Sequence, residues 1–324
     1  VLHRLDIPQH NQVLLGLEQP DDAAIVKSVN GQPMTVTADF FTAPLEDAYL
    51  SGRIAALNSA SDVFALGAQP IAALALATLP LGKPRQQEQL LYEMLAGSLH
   101  EFRGMGATLV GGHTIEGPQV TIGFTILADQ GSSVPRTKAH LRAGDQLVLT
   151  KPLGTGVLLV GHMQAECQAD WMEALLASML LSNQHAASLL NEFDIAGLTD
   201  VTGFGLAGHL LEMLNASDLA CELRLDQLPL LPGTTNLARR GVQSTLAPAN
   251  RAVEAEIGVP EKLRTSSEYQ VLFDPQTSGG LVMGVRKDDV DRVLMRLSEQ
   301  SDIASAVIGH VEDRSDSAPR IRVM

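Results

Sequence analysis

The sequence predicts a two-domain protein of mixed α and β structure, and three observations carry that reading. The chain is 324 residues long, more than one hydrophobic core usually organises, and domains of about 150 residues each are the ordinary solution. Stretches with strand periodicity alternate with stretches of helical periodicity, without the strict strand-helix-strand repeat of a doubly wound sheet, so the class is α+β or α/β. A polar break at Gly131-Ser132-Ser133-Val134-Pro135, followed by Arg142-Ala143-Gly144-Asp145, places the boundary between an N-terminal domain, residues 1–145, and a C-terminal domain, residues 146–324.

The elements follow in order. Pro20-Asp21-Asp22-Ala23-Ala24-Ile25-Val26 is a turn running into a short extended segment. Met34 to Asp39 alternates and is rich in β-formers, a strand with Asp39 at its carboxyl end. Leu50 to Leu66 is helical: Ile54, Leu57, Val63, Phe64 and Leu66 form a broad apolar side, while Asn58 and Asp62, four apart, share another face. Pro70 to Thr78 is a strand buried on both sides, and Arg85 to Arg103 an amphipathic helix ended by Gly104 and Gly106. Ala107 to Val110 is a short strand running into Gly111-Gly112-His113-Thr114, and Gln119 to Leu127 another strand.

In the second half, Gln146 to Thr150 is a strand feeding the loop Lys151-Pro152-Leu153-Gly154-Thr155-Gly156, with helical runs at Val157 to Met163 and Trp171 to Glu192. Ile195 to Val201 is short and broken by Gly197. Thr199-Asp200-Val201-Thr202-Gly203-Phe204-Gly205-Leu206-Ala207-Gly208-His209 is a glycine-rich loop entering a helix whose apolar positions are Leu210, Leu211, Met213 and Leu214. Ala220 to Leu225 is a strand, Leu228 to Gly233 a turn, and Thr234 to Arg264 has no clear period. Tyr269 to Phe273 reads as a strand, Asp274 to Gly280 as a turn, Leu281 to Val285 as a strand, Asp288 to Glu299 as a helix, and Ala306 to Val311 as the final strand.

Composition excludes several classes of function. Forty-five per cent hydrophobic residues with 4% aromatic gives an aliphatic core and rules out disorder. The net charge of −14 argues against a nucleic-acid binder, and it would repel a polyanion such as ATP unless metal ions or local N–H donors held it. Cys167 and Cys221 stand alone, with neither disulfide nor zinc spacing. No apolar run reaches the roughly 18 residues of a membrane span, and no signal peptide is visible, so the expected location is the cytoplasm.

Four aspartates carry the candidate chemistry: Asp22, Asp39, Asp62 and Asp200, each beside small residues, at a strand end or on a helix's polar face. Carboxylates converging on one point need a cation between them, and Mg²⁺ takes such oxygen ligands together with substrate phosphates. Taken singly, each Asp is also an ordinary cap or turn residue. Gly111-Gly112 and Gly154-x-Gly156 suit close backbone approach to phosphate, yet no Walker A loop occurs. Gly203-x-Gly205-x-x-Gly208 matches a dinucleotide fingerprint, but the broken segment before it is a poor strand for that motif, and this reading ranks last. His113 and His209 flank glycine-rich turns without an assigned role.

Taken together, Asp21 to Ala24, Thr37 to Phe41, Gly52 to Gly67, Gly111 to His113, Lys151 to Gly154, Thr199 to His209 and Asp274 to Leu281 resemble the selenophosphate synthetases (selenide, water dikinases), in family order. These belong to the wider superfamily of aminoimidazole ribonucleotide synthetase. The resemblance implies two-domain subunits whose N-terminal sheets join into a barrel across a homodimer. It also implies selenophosphate synthesis from ATP, selenide and water, with release of AMP and orthophosphate. Asp22, Asp39, Asp62 and Asp200 match the carboxylates that hold Mg²⁺ on the triphosphate, with Asn58, Gly111 and Gly112 in the nucleotide site. The family's reactive Cys or selenocysteine and the Lys close behind it have no counterpart from Val1 onward, so no catalytic residue is assigned. The chain is therefore expected to be the body of a longer protein that binds Mg-ATP and turns over poorly. The alternative is a catalytically incomplete Mg-ATP-binding and dimerisation module of a fusion protein.

Overall fold

A computed structural model describes residues 7–8, 10–18, 21–131, 135–315 and 318–324. Pro20 and Ser132 to Val134, assigned above to turns, lie outside the described residues. The chain divides into two units, residues 1–135 and 136–324.

The first unit is built on a six-stranded sheet of β1 (Val13–Leu15), β2 (Ala24–Lys27), β3 (Pro33–Thr42), β4 (Gln69–Leu79), β5 (Thr108–Glu116) and β6 (Thr121–Asp129), in the order β1-β2-β3-β6-β4-β5. Every neighbouring pair is antiparallel except β4 and β5. Helices α1 (Ala48–Ala65) and α2 (Pro84–Gly104) pack against each other and against the sheet. The Asp47 side chain caps α1 by accepting from the Leu50 N–H at 2.8 Å, and Pro84 opens α2 where its missing N–H costs nothing. Two expected boundaries differ. Asp39 does not end its strand, because β3 stays paired with β6 through Thr42, opposite Thr121. Nor does β5 stop at Gly111: its parallel pairing with β4 continues to Glu116 opposite Leu79.

The second unit holds a seven-stranded mixed sheet of β7 (Gln146–Leu149), β8 (Ile195–Asp200), β9 (Leu219–Leu223), β10 (Ile257–Gly258), β11 (Leu281–Val285), β12 (Ala306–Asp313) and β13 (Ile321–Val323). Its order is β10-β13-β9-β12-β7-β11-β8, parallel only between β10, β13 and β9. The helices are α3 (Thr155–Met163), α4 (Ala169–Met179), α5 (Gln184–Ser188), α6 (Gly205–Ser217), α7 (Thr234–Arg239), α8 (Ala247–Asn250), α9 (Ser267–Val271) and α10 (Val290–Ser298). Leu206, Leu210 and Leu214 of α6 join Leu147, Leu223, Val282 and Ile308 of the sheet in the main core of this unit.

Three expectations are corrected. Ile195 to Asp200 is a continuous strand, buried at every position, and Gly197 leaves room for the Leu141 side chain rather than breaking it. Tyr269 to Phe273 is not a strand: α9 is capped by Ser266, whose Oγ accepts from the Tyr269 N–H at 3.1 Å. Its aromatics, four apart, then stack edge to face with centroids 5.3 Å apart, so tertiary packing overrides their β propensity. The run Trp171 to Glu192 splits into α4 and α5, joined through Leu180 to Asn183.

The α1–α2 crossing depends on two glycines. A Cβ on Gly52 would lie 1.9 Å from the Met94 carbonyl oxygen, and one on Gly97 would lie 2.0 Å from that of Tyr49. The Ser98 hydroxyl, buried in the crossing, donates to the Gly52 carbonyl at 3.0 Å. Gly52→Ala is therefore expected to destabilise the first unit by about 1–3 kcal/mol or more through overpacking, read as a fall in urea midpoint. Gly52→Ala with Gly97→Ala should be non-additive, because both push on one contact.

Candidate functional site

In the first unit the site is a register match between a strand and a helix. Residues two apart on a strand are about 6.6 Å apart, and residues four apart on a helix about 6 Å. Thr37 and Asp39 on β3 therefore meet Asp62 and Asn58 on α1. The Thr37 hydroxyl donates to Asp62 Oδ2 at 2.5 Å, and the Asn58 amide donates to Asp39 Oδ2. The Phe40 N–H adds a 2.8 Å bond to Asp39 Oδ1. Burial holds the Asp39 carboxyl above its ordinary pKa, partly offset by the Phe40 and Asn58 donors. Asp22, just ahead of β2, brings a carboxylate oxygen within 4.8 Å of one from Asp62. Three of the four predicted aspartates and Asn58 thus belong to one neighbourhood. The carboxylates and the Asn58 carbonyl oxygen are all hard oxygen donors, which fits Mg²⁺, and a cation beside Asp39 would oppose the effect of burial on its pKa.

Gly111 and Gly112 stand further across the same sheet. They are on the edge strand β5, three strand spacings from β3, or about 14 Å across the sheet. Gly112 answers a packing need, since a Cβ there would sit 2.2 Å from the Ala75 carbonyl oxygen on β4. His113 is exposed on the same strand.

In the second unit, three glycine-containing loops converge at one end of the sheet: Lys151 to Gly156, Asp200 to Gly205, and Asp274 to Gly280. Asp200 is 1% exposed at the end of β8, opposite Leu281 at the start of β11. Lys151 is fully enclosed; its Nζ donates to the carbonyls of Leu181 at 2.6 Å and Ser278 at 2.9 Å. Burial brings its pKa down to about 7, opposed by the charge of Asp200. The α3 N-terminus, suited in the sequence to phosphate, is already occupied. Gln276 Oε1 accepts from the N–H groups of Gly154 at 2.9 Å and Thr155 at 3.1 Å, and Asp274 Oδ2 accepts from Val157 N–H at 3.2 Å. The Asp274 carboxyl is pushed up to about 7 by burial, against the pull of those donors.

The dinucleotide fingerprint is used up in the same way. The strand it requires exists, but Gly205 N–H donates to the Thr202 carbonyl at 3.1 Å and Ala207 N–H to that of Leu272 at 2.9 Å. Two of the donors that would hold a pyrophosphate are thus spent inside the protein. Sequence reasoning left His209 without a role. Here the buried imidazole Nε2 accepts from the Thr202 N–H at 3.1 Å, which fixes the neutral form and pins the loop that follows Asp200. Thr37 and Gln276 were not singled out either. Thr37 was legible as the same-face neighbour of Asp39, whereas nothing in the chain's local pattern marks Gln276 as a cap of α3.

Burial, with the nearby charge of Lys138, holds the His209 pKa down to about 3 from an ordinary 6.5. Between those values the unfolded chain binds the proton and the folded one does not, so stability falls as pH drops from 6.5 towards 3. By pH 5 the loss from this group is about 2 kcal/mol. Urea unfolding at pH 7 and pH 5 should show that His209→Asn, which retains an acceptor for Thr202, loses about that much less stability than the parent between the two conditions.

Comparisons with known proteins agree with this architecture. Residues 20–128 match the family "AIR synthase related protein, N-terminal domain", and residues 142–322 match the corresponding C-terminal domain. The selenide, water dikinase of Nitratidesulfovibrio vulgaris (strain DSM 19637 / Miyazaki F) is 37% identical over 308 residues, covering 92% of this chain and 85% of that one. That of Clostridioides difficile (strain 630) is 31% identical over 314 residues, covering 96% and 89%. Among solved structures, thiamine-monophosphate kinase from Stenotrophomonas maltophilia K279a has a TM-score of 0.68 at 20% identity, covering 97% of this chain and 92% of that one. A hydrogenase maturation protein HypE in complex with ATP has a TM-score of 0.67 at 17% identity, covering 90% and 81%; both share the fold. With both domain families matched in order and relatives above 30% identity along nearly its whole length, the chain belongs to the selenide, water dikinase family of AIR synthase related proteins.

Proposed function

We propose that the protein makes selenophosphate from ATP, selenide and water, releasing AMP and orthophosphate. The observation that carries the reading is the polar ladder of Asp39–Asn58 and Thr37–Asp62, with Asp22 beside it, in a chain 37% identical to a selenide, water dikinase. Asp22, Asp39, Asp62 and Asp200 are the proposed Mg²⁺ ligands, Asp200 by family resemblance, with Asn58, Gly111 and Gly112 contributing to the nucleotide site. Bound Mg²⁺ would offset the charge of the triphosphate and of the phosphoryl group in transfer. The protein's own part is to hold those carboxylates oriented: Thr37 and Asn58 donate to two of them, and His209 fixes the loop behind a third. The N-terminal domain is assigned the metal, the nucleotide and dimerisation; the C-terminal domain completes the nucleotide site.

A homodimer is part of the proposal. The six-stranded sheet is open among the described residues, and its edge strand β5 is exposed along most of its length. Phe40, Ile71, Leu74, Val110 and Ile115 stand exposed on β3, β4 and β5, apolar surface that a second subunit would cover as the two sheets join into a barrel. The cytoplasm is the proposed location, where ATP is at hand. No helix among the described residues is long and apolar enough to cross a membrane.

Separating AMP from ADP after incubation with Mg-ATP tests the reaction: AMP and orthophosphate should form only when selenide is present. ADP alone, or product formation indifferent to selenide, would sink the assignment. Asp200→Ala should lower Mg-ATP affinity with the fold intact, and unchanged nucleotide binding would remove Asp200 from the metal site. Val110→Asp combined with Ile115→Asp should convert the dimer to monomer in sedimentation velocity; a dimer that survives both would place the interface elsewhere.

A further inference from the structure

Gln276 lies in the loop between α9 and β11, and its hydrogen bonds reach two other loops, at Gly154–Thr155 and at Thr202, as well as Asp274 of its own loop. Its side chain is 4% exposed. Oε1 accepts from Gly154 N–H at 2.9 Å, Thr155 N–H at 3.1 Å and the Thr155 hydroxyl at 3.3 Å. Nε2 donates to the Asp274 carbonyl at 2.7 Å and to Asp274 Oδ2 at 3.0 Å. Its own main-chain N–H donates to the Thr202 carbonyl at 2.9 Å, two residues beyond Asp200. Only an amide satisfies this surround, because one end faces donors and the other faces acceptors.

The same junction is tight elsewhere. Thr277 N–H donates to the Thr155 hydroxyl at 2.8 Å, and a Cβ on Gly279 would lie 2.0 Å from the Val201 carbonyl oxygen. Thr202 is thereby held on both sides, its N–H by His209 and its carbonyl by Gln276. The strand end bearing Asp200 can shift relative to α3 only if the Gln276 clasp opens.

We infer that Gln276 is a positioning residue for the metal chemistry: by clasping the α3 N-terminus to Thr202 it sets where the Asp200 carboxylate stands. This rests on the proposal that Asp200 is a Mg²⁺ ligand. Groups that orient a metal ligand from behind are worth about 10–100-fold in metal affinity or activity.

The experiment measures ATP binding to the full chain as a function of Mg²⁺ concentration, with thermal unfolding followed in parallel. Gln276→Ala is expected to raise the half-saturating Mg²⁺ about tenfold, while nucleotide binding at saturating Mg²⁺ returns to within about twofold of the parent. Gln276→Glu keeps an acceptor for Gly154 and Thr155 but turns a second buried carboxylate oxygen on Asp274 Oδ2 in place of the donor, so this arm of the clasp becomes repulsive. It should shift the Mg²⁺ curve in the same direction by about tenfold. Ser266→Ala removes the cap of α9 and is expected to lower the unfolding temperature without moving the Mg²⁺ curve, which separates positioning from loss of stability. A parental Mg²⁺ curve for Gln276→Ala, alongside a weakened Asp200→Ala, overturns the inference and leaves Asp200 as a ligand. If Asp200→Ala also binds as the parent does, the metal reading itself fails and the inference goes with it. Should Gln276→Ala not fold, Gln276→Glu decides alone, and an unshifted curve counts against the clasp.

Discussion

The match in spacing between β3 and α1 is the constraint on which the first unit depends. Two residues of strand and four residues of helix span nearly the same distance, so two polar pairs form side by side only if the helix lies along the strand in one register. Sliding α1 by one residue would turn Asn58 and Asp62 away from β3 and present Leu57 and Ser61, or in the other direction Ser59 and Val63, to Asp39 and Thr37 instead. The helix is held in that register from its other side by the Gly52–Gly97 crossing, which allows α2 to approach without intervening side chains. Packing on one side of α1 thus aims carboxylates on the other.

The second unit solves a different problem. Its three glycine-containing loops meet at the end of a sheet whose strands β7, β11 and β8 are adjacent, and the helix termini there are satisfied by the protein itself. Asp274 and Gln276 occupy donors of α3, while Thr202 and Leu272 take two of those at the start of α6. A junction whose donors and acceptors are spent internally holds its side chains in place rather than offering its backbone to a ligand. Lys151, enclosed and anchored by two carbonyls, belongs to the same construction. The consequence is a rigid frame around Asp200, consistent with a group whose task is to stand in one position.

Both units therefore reach the same end by unlike means. In the first, the carboxylates are oriented by side chains on regular elements, and the elements are locked by packing. In the second, a carboxylate at a strand end is oriented through the main chain of the following loop, with a neutral histidine on one side and a glutamine on the other. The neutrality of His209 follows from its burial and from its role as acceptor, and an imidazolium there would lose the bond to Thr202.

What the sequence by itself determined was local and periodic. The strand at β4, the helices α1 and α2, the shared face of Asn58 and Asp62, and the ordered series of motifs that marks the family all lie within short windows, where side-chain spacing carries the information. Strand lengths were lost where pairing with a neighbour extended an element through glycines or past an aspartate, as at β5 and β3, because the partner strand is remote in sequence. Tyr269 to Val271 went to helix, with Phe273 in the turn behind it, because a cap and an aromatic pair outweighed propensity, and Ile195 to Asp200 stayed a strand because Gly197 answers to Leu141. Only the tertiary structure decided that the glycines after Lys151 serve a cap rather than a phosphate, and that Gln276 and His209 hold the loop of Asp200. Each of those assignments depends on which distant donor arrives at a given acceptor, a property of the folded chain that no local pattern encodes.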